Sequence, residues 1–374
     1  MLIDFKGLIA TLDDGEIMTL ANEARPGSNY IFNSVLPEVK RRGYSAKGGS
    51  MTIRATMAKL VGLSSPYPKG GAFEQTEFEH KIAKMAIEMD FPEEYLRELR
   101  ELVKDALSQE VDAHEQILET LFNFTDKLLV QPHLDTAEWL RGQALVTGAI
   151  DWQSDDIHLE VDYGIPSTNF LPTRTGTDAY DGTTSKFWAD VRSAQSILNN
   201  RVVAIIAHST TVRAIMDNPN NNIRLIRADE TAGIFVFQKY VSIQGNTQTS
   251  EDTRDTVTLI TYDDEGEVYD STKPGTGETV KLPFMPVGAV LFIGAFNPKR
   301  FIVGAGSTPP VTPISLGYTH VGPTEEGDGR LGRWANLYVP EGKNWMFVGH
   351  AVTNCLPVIE APDRLVVAKT DITT

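Results

Sequence analysis

Two histidine patterns, a glycine pair and a lone cysteine are where this sequence could do covalent or metal chemistry. His114-Glu115 opens the pattern in which two imidazoles one helical turn apart hold zinc, but position 118 is leucine and the second ligand is missing. Gly304-Ala305-Gly306 begins like a dinucleotide-binding turn. Ser307-Thr308-Pro309-Pro310 then follows where a helix would have to start, so the segment reads as a loop. No glycine-rich stretch is followed by a phosphate-binding lysine. His208 with Ser209, and His350 with Cys355, are nucleophile and base by type, and either His208 or Cys355 could serve a cytosolic hydrolase. Neither stands in a nucleophile-elbow context, and Cys355 between Asn354 and Leu356 suits a packed strand. Two acidic loops, Asp263-Asp264-Glu265-Gly266-Glu267 and Gly176 to Gly182, lack calcium-loop spacing and read as solvated turns. The expectation is a chain with no catalytic residue, no metal and no cofactor.

Composition narrows the classes further. With 374 residues and 41% hydrophobic content, the chain can bury a large core in two domains or in one with long excursions. A formal charge of -16 has the wrong sign for general contact with phosphate backbones, though it is no obstacle to enclosing nucleic acid. One cysteine excludes an intramolecular disulfide framework, which suits a reducing cytoplasm. No basic n-region precedes an apolar run, and no apolar stretch is long enough to cross a bilayer, so no membrane role is expected.

The elements appear in an informative order. Residues 1–50 mix short apolar runs with Pro26, Gly27, Pro37 and Gly48-Gly49, an irregular arm whose Tyr30, Ile31, Phe32 and Leu36 need another surface to cover them. From Met51 the pattern alternates as a half-covered strand does. Ser64 to Gly71 breaks it, and alternation returns from Phe73 to Glu88. Two strands of about ten residues would project on the order of 35 Å. Arg54 and Lys59 on the outgoing strand could pair across the ladder with Glu74, Glu77 and Glu79. An isolated hairpin is marginal in water, so this one needs something to lie on. A phase shift between Ile82 and Met85 suggests a bulge, and Asp90-Phe91-Pro92-Glu93 resembles a helix start. Helical spacing then runs from Asp112 to Thr147, with Pro132 expected to kink or interrupt it. After Gly148 come strands near Ile157–Tyr163, Val202–Ala207, Val257–Tyr262, Val287–Gly294 and Trp345–Val352, and helices near Phe187–Leu198 and Thr210–Met216. The fold class is α+β.

A helix ending Trp139-Leu140-Arg141-Gly142-Gln143-Ala144-Leu145-Val146-Thr147-Gly148, followed by Val161-Asp162-Tyr163-Gly164, resembles the lambda-like major capsid protein E family of tailed bacteriophages. The likeness continues through Phe187-Trp188-Ala189-Asp190, Val257–Tyr262, Val287–Ala295 and Leu356 to Lys369, but not through Asn218–Asp255.

The resemblance implies the phage major capsid protein fold, shared with herpesviruses. It has an N-terminal arm (1–50), an extended E-loop hairpin (51–90), a peripheral domain (91–182 and 330–360) with a long spine helix over 112–147, and an axial domain (183–329 and 361–374). It implies a homo-oligomer of hexamers and pentamers in an icosahedral shell enclosing double-stranded DNA, with separate scaffold, portal and decoration proteins. The location implied is the virion, with the host cytoplasm during assembly. Intersubunit contacts would come from Arg54, Lys59, Pro66, Tyr67, Pro68, Lys69, Glu74, Glu77 and Glu79 on the E-loop and from Tyr30, Ile31, Phe32 and Leu36 on the arm. Some relatives join an E-loop lysine to a neighbour's asparagine with a glutamate as base. Lys69, Asn354 and Glu360 supply those types, although the lambda-like branch generally uses cementing proteins. An encapsulin-like nanocompartment shell is the alternative within the fold.

Overall fold

The computed structural model describes residues 30–54, 72–91, 125–154, 157–200, 202–230, 233–243, 246–249, 256–269, 279–295, 314–338, 340–341 and 347–372, with single positions at 21, 97, 101 and 123. Helix α1 (Ile31–Val35) and strand β1 (Glu38–Lys40) lead into β2 (Ser45–Arg54), β3 (Ala72–Lys81) and β4 (Ala83–Phe91). A π-helical turn, Thr125–Val130, feeds α2 (Gln131–Thr147), and β5 (Ala149–Ser154) and β6 (Ile157–Asp162) follow as a hairpin. Then come α3 (Phe187–Ile197), β7 (Val202–Ala207), α4 (Ser209–Asp217), β8 (Ile223–Asp229), β9 (Ile234–Ile243), β10 (Asn246–Thr249) and β11 (Thr256–Thr261). Strands β12 (Glu265–Tyr269), β13 (Thr279–Pro283), β14 (Ala289–Gly294), β15 (Gly317–Val321), β16 (Trp334–Tyr338), β17 (Phe347–Ile359) and β18 (Leu365–Lys369) complete the chain.

The largest sheet has seven strands in the order β10-β9-β11-β7-β14-β18, with β8 also on β9. Its central strands are apolar at nearly every position because both faces are covered. Ile206, Leu291, Ile293, Leu365 and Val367 enter one hydrophobic cluster. Their neighbours Ile205, Ala207, Val290, Phe292, Val366 and Ala368 enter the other, as a period of two requires. The first cluster also takes in α1, α2 and the five-stranded sheet β1-β15-β17-β16, where β4 pairs with β17. The second is closed by α3 and α4. Among the named strands of the described residues, pairing is antiparallel except for β1 with β15 and β11 with β7, consistent with α+β.

Helix α2 is buried on most of its circumference, from His133 and Leu134 to Leu145 and Val146. Pro132 does not end the helical path. It stands in the first turn of α2, where its missing N–H needs no intrahelical partner, and marks the change from the π-helical turn to α geometry. The part of the expected spine before residue 125, position 123 apart, lies outside the described residues. Gly148 closes α2 at φ +75°, its N–H bonding the Ala144 carbonyl at 3.2 Å. The two motif pieces then meet: the Tyr163 N–H donates to the Gly148 carbonyl at 3.0 Å, and the Tyr163 hydroxyl to the Pro357 carbonyl at 2.9 Å.

Two sequence expectations need correction. Asp90 is not a helix cap: β4 runs through it to Phe91, and Asp90 pairs with Val348 in the ladder with β17. The alternation of Met85, Ile87 and Met89 outweighs the turn-like Asp-Phe-Pro, because a partner strand is waiting. Helical geometry is seen later, at Arg97 and Glu101. The second correction concerns β15, expected to stand with residues 183–329. It pairs instead with β17, Tyr318 opposite Val358.

Candidate assembly surfaces and the joint that carries them

Strands β2 and β3 form a two-stranded antiparallel ladder from Ser45 opposite Lys81 to Arg54 opposite Ala72. At ~3.3 Å per residue this reaches about 30 Å. No third strand pairs with it among the described residues. The register sets Lys47 opposite Glu79, Gly49 opposite Glu77 and Thr52 opposite Glu74. Arg54 stands opposite Ala72, with Glu74 at the neighbouring diagonal position. Lys59, Pro66, Tyr67, Pro68 and Lys69 lie outside the described residues.

The base of the ladder is firmly held. Ile82 interrupts the strand, its N–H donating to the Tyr44 carbonyl at 3.0 Å, and β4 then joins β17. The Tyr44 hydroxyl donates to Glu325 at 2.8 Å, and Lys84 pairs with Glu326. Gly322 lies against the Ile82 side chain, where a Cβ would come within 2.2 Å. The Arg41 guanidinium stacks 3.9 Å from the Tyr318 ring centroid and donates to its hydroxyl at 3.0 Å. The hairpin thus leaves the body from a braced root.

The arm residues are placed otherwise than expected. Tyr30, Phe32 and Leu36 are buried in the chain's own core and Ile31 packs against it, so this part of the arm is already covered without a neighbour. The covering surface is α2. At their junction lies a fully buried guanidinium: Arg141 donates to Thr319 Oγ1 at 2.8 Å, to Glu138 Oε2 at 2.8 Å and to Glu38 Oε1 at 3.1 Å. Glu38 also pairs with buried Arg333, so two carboxylates meet two guanidinium groups. Glu138 Oε1 accepts from the Phe32 N–H and the Tyr262 hydroxyl, both at 2.7 Å, and Thr319 Oγ1 donates to the Leu36 carbonyl at 2.8 Å. Burial opposes the Arg141 charge, but Glu138 and Glu38 outweigh it and hold the group above its usual pKa. Burial, then the Glu138 charge, raises the Tyr262 phenol. One joint ties arm, helix and both large sheets.

Gly142 leaves room for the Phe284 backbone and, beside it, the arm's Phe32 ring. A Cβ there would lie 2.5 Å from the Phe284 carbonyl oxygen and 3.1 Å from the Phe32 ring. Gly142→Ala is therefore expected to cost about 1–3 kcal/mol of stability, read from urea denaturation, despite alanine's better helix propensity. An unchanged midpoint would show that the interface yields freely.

Among solved structures, an E. coli CFT073 prophage protein proposed to be a capsid protein superposes with a TM-score of 0.56 at 12% identity, over 99% of this chain and 100% of that one. The chain has a phage capsid fold. A phage-related protein of Bordetella bronchiseptica RB50 aligns at 0.45 and 11% identity over 95% of each chain. A holo-encapsulin complex of Synechococcus elongatus PCC 7942 aligns at 0.40 and 10% identity over 95% of each. The fold assignment rests on the first of these. No family model and no curated protein sequence matches the chain.

Within this capsid fold, the nucleophile candidates hold structural posts. His208 caps α4, its Nδ1 accepting from the Thr210 N–H at 3.1 Å. His350 and Cys355 stand five residues apart on β17, on opposite faces and roughly 17 Å apart along the strand, and cannot act together. Burial pushes the Cys355 thiol up to about 12, so it stays protonated at neutral pH. Native protein is expected to leave Cys355 unmodified by a thiol-reactive disulfide until denaturant is added. Rapid stoichiometric labelling of folded chain would overturn this placement.

Two of the cross-link candidates lie within the described residues. Asn354 is buried, its Nδ2 donating to the Pro323 carbonyl at 2.5 Å, while Glu360 lies past the end of β17, about 20 Å along the chain. In the acidic loops, Asp263 accepts from the Ser209 N–H at 2.6 Å and Asp178 from the Thr184 hydroxyl at 2.8 Å, acting as turn acceptors. No group of three or more metal-ligating side chains is gathered among the described residues. The segments 114–118 and 304–310 lie outside the described residues. The Arg141 joint was missed. Its signal was a charged pair, Glu138 and Arg141, three apart inside an apolar helix run.

Proposed function

We propose that this chain is the major capsid protein of a tailed bacteriophage, building hexamers and pentamers of an icosahedral shell around double-stranded DNA and performing no catalysis. The observation that carries the reading is the end-to-end superposition on a prophage capsid protein, joined to a braced hairpin that pairs with no third strand among the described residues. An exposed two-stranded edge is an aggregation liability in a monomer and a grip in a lattice. Many modest contacts, repeated around each capsomer, add up to a durable shell.

In this reading residues 51–90 form the E-loop, extended back to Ser45 by the ladder. Residues 91–182 belong to the peripheral domain, with α2 as the described part of the spine, and 183–313 and 361–374 to the axial domain. The second peripheral segment starts at 314 rather than 330, because β15 pairs with β17. Arg54, Lys59, Pro66–Lys69, Glu74, Glu77 and Glu79 remain the proposed E-loop contacts. Tyr30, Phe32 and Leu36 drop out because the chain's own core covers them. Scaffold, portal and decoration proteins would be separate partners, in the host cytoplasm during assembly and in the virion afterwards.

Gel filtration and negative-stain microscopy of purified full-length chain test the proposal. Rings, sheets or closed shells are expected. A monomer that stays monomeric across protein concentrations and salt conditions would overturn it.

A further inference from the structure

A cleft of about 560 Å³ lies between α2, the β5-β6 hairpin and the β12-β13 hairpin, and nothing in the shell reading uses it. Trp139 and Trp152 meet in it edge to face, ring centroids 5.0 Å apart. Asp135, Asp151, Glu265 and Glu267 line the same cleft, and among the described residues no lysine or arginine does. Glu265 also pairs with Lys281, which stands outside the cleft lining. Asp135 is half-buried and accepts from the Gln131 amide at 3.2 Å and from the Tyr30 hydroxyl.

Indole faces carry negative potential, and carboxylates beside them add to it, so the combination favours a cation with a flat or apolar stem over an anion or a plain hydrocarbon. Guanidinium groups fit both parts, stacking on the ring while their N–H groups meet carboxylates. We propose that this cleft is a docking site for an arginine-bearing segment of a separate, basic protein. A second copy is the poorer occupant, because the chain carries -16 and like charges would meet. The inference stands apart from the shell reading and can fail independently of it.

The probe is acetyl-Gly-Arg-Gly-Arg-Gly-amide, titrated into unassembled full-length chain while tryptophan fluorescence is followed. A saturable, salt-sensitive change is expected. Trp152→Ala should abolish it. Asp151→Asn with Glu267→Gln, at exposed positions that leave the core untouched, should weaken binding about tenfold. Asp217→Asn, exposed elsewhere, should leave it unchanged. Equal loss in that control would mean general attraction to an acidic chain and overturn the site. Absence of saturation would do the same. Self-association without peptide that Trp152→Ala removes would assign the cleft to a second copy and overturn the proposed occupant. The peptide results leave open whether shells form, which microscopy of the chain alone decides.

Discussion

Arg141→Met is expected to lower the unfolding free energy of the unassembled chain by about 3–5 kcal/mol, the usual cost of removing one partner from a buried charge network. The loss exceeds that of a single hydrogen bond because fully buried Glu138 would lose its guanidinium partner, while Glu38 would keep Arg333. Arg141→Lys should recover only part of it: an ammonium keeps the charge but cannot reach Thr319, Glu138 and Glu38 with one planar fork. Arg141→Met combined with Glu138→Gln should be more stable than Arg141→Met alone, since the amide oxygen still accepts from Phe32 and Tyr262 without an unpaired charge. Urea denaturation of the series gives the answer. A drop below about 1 kcal/mol for Arg141→Met would mean that water reaches the joint and that it does not hold arm, helix and sheets together.

Deleting residues 62–71 is expected to leave a folded body and reduce the yield of closed particles on the order of tenfold or more. Folding should survive because the described residues of both hydrophobic clusters come mainly from α1 to α4 and the two large sheets. Assembly should suffer because a grip missing from one subunit is missing from all of them, and multivalent lattices weaken multiplicatively. Circular dichroism and urea midpoints would establish the first part, sedimentation and microscopy the second. Normal particles from the deletion would dispose of the role given to the hairpin while leaving the shell reading intact.

Both predictions concern places where pattern reading had uneven success. The alternation around Phe73–Glu88 correctly pointed to a strand, and the phase shift near Ile82 to the break between β3 and β4. Period-two alternation is a local record of which face is covered, so it survives in sequence. Partner choice is not local. Charge alone pointed from Arg54 to three glutamates, and the ladder register sets Ala72 opposite it with Glu74 at the diagonal position. Tyr30, Phe32 and Leu36 looked like an arm in search of a neighbour because the surface that covers them is α2, on the order of a hundred residues away.

By itself, the sequence determined the α+β class, the helical course through 125–147, the strands β7 and β14, and the absence of a nucleophile-elbow motif. It also carried the Thr-Gly and Val-Asp-Tyr-Gly pieces whose family likeness matches the fold. Each of these follows from residue type or short spacing. Tertiary structure decided that β15 stands beside β17, that Asp90 extends a strand, and that Glu38, Glu138, Arg141 and Arg333 form one buried joint. It also brought Trp139, Trp152 and four carboxylates around one cleft. The physical reason is the same in each case. A charge in an apolar helix, or a tryptophan beside a turn, has no meaning until its partner is known, and Arg141 finds Glu38 across 103 residues and Thr319 across 178.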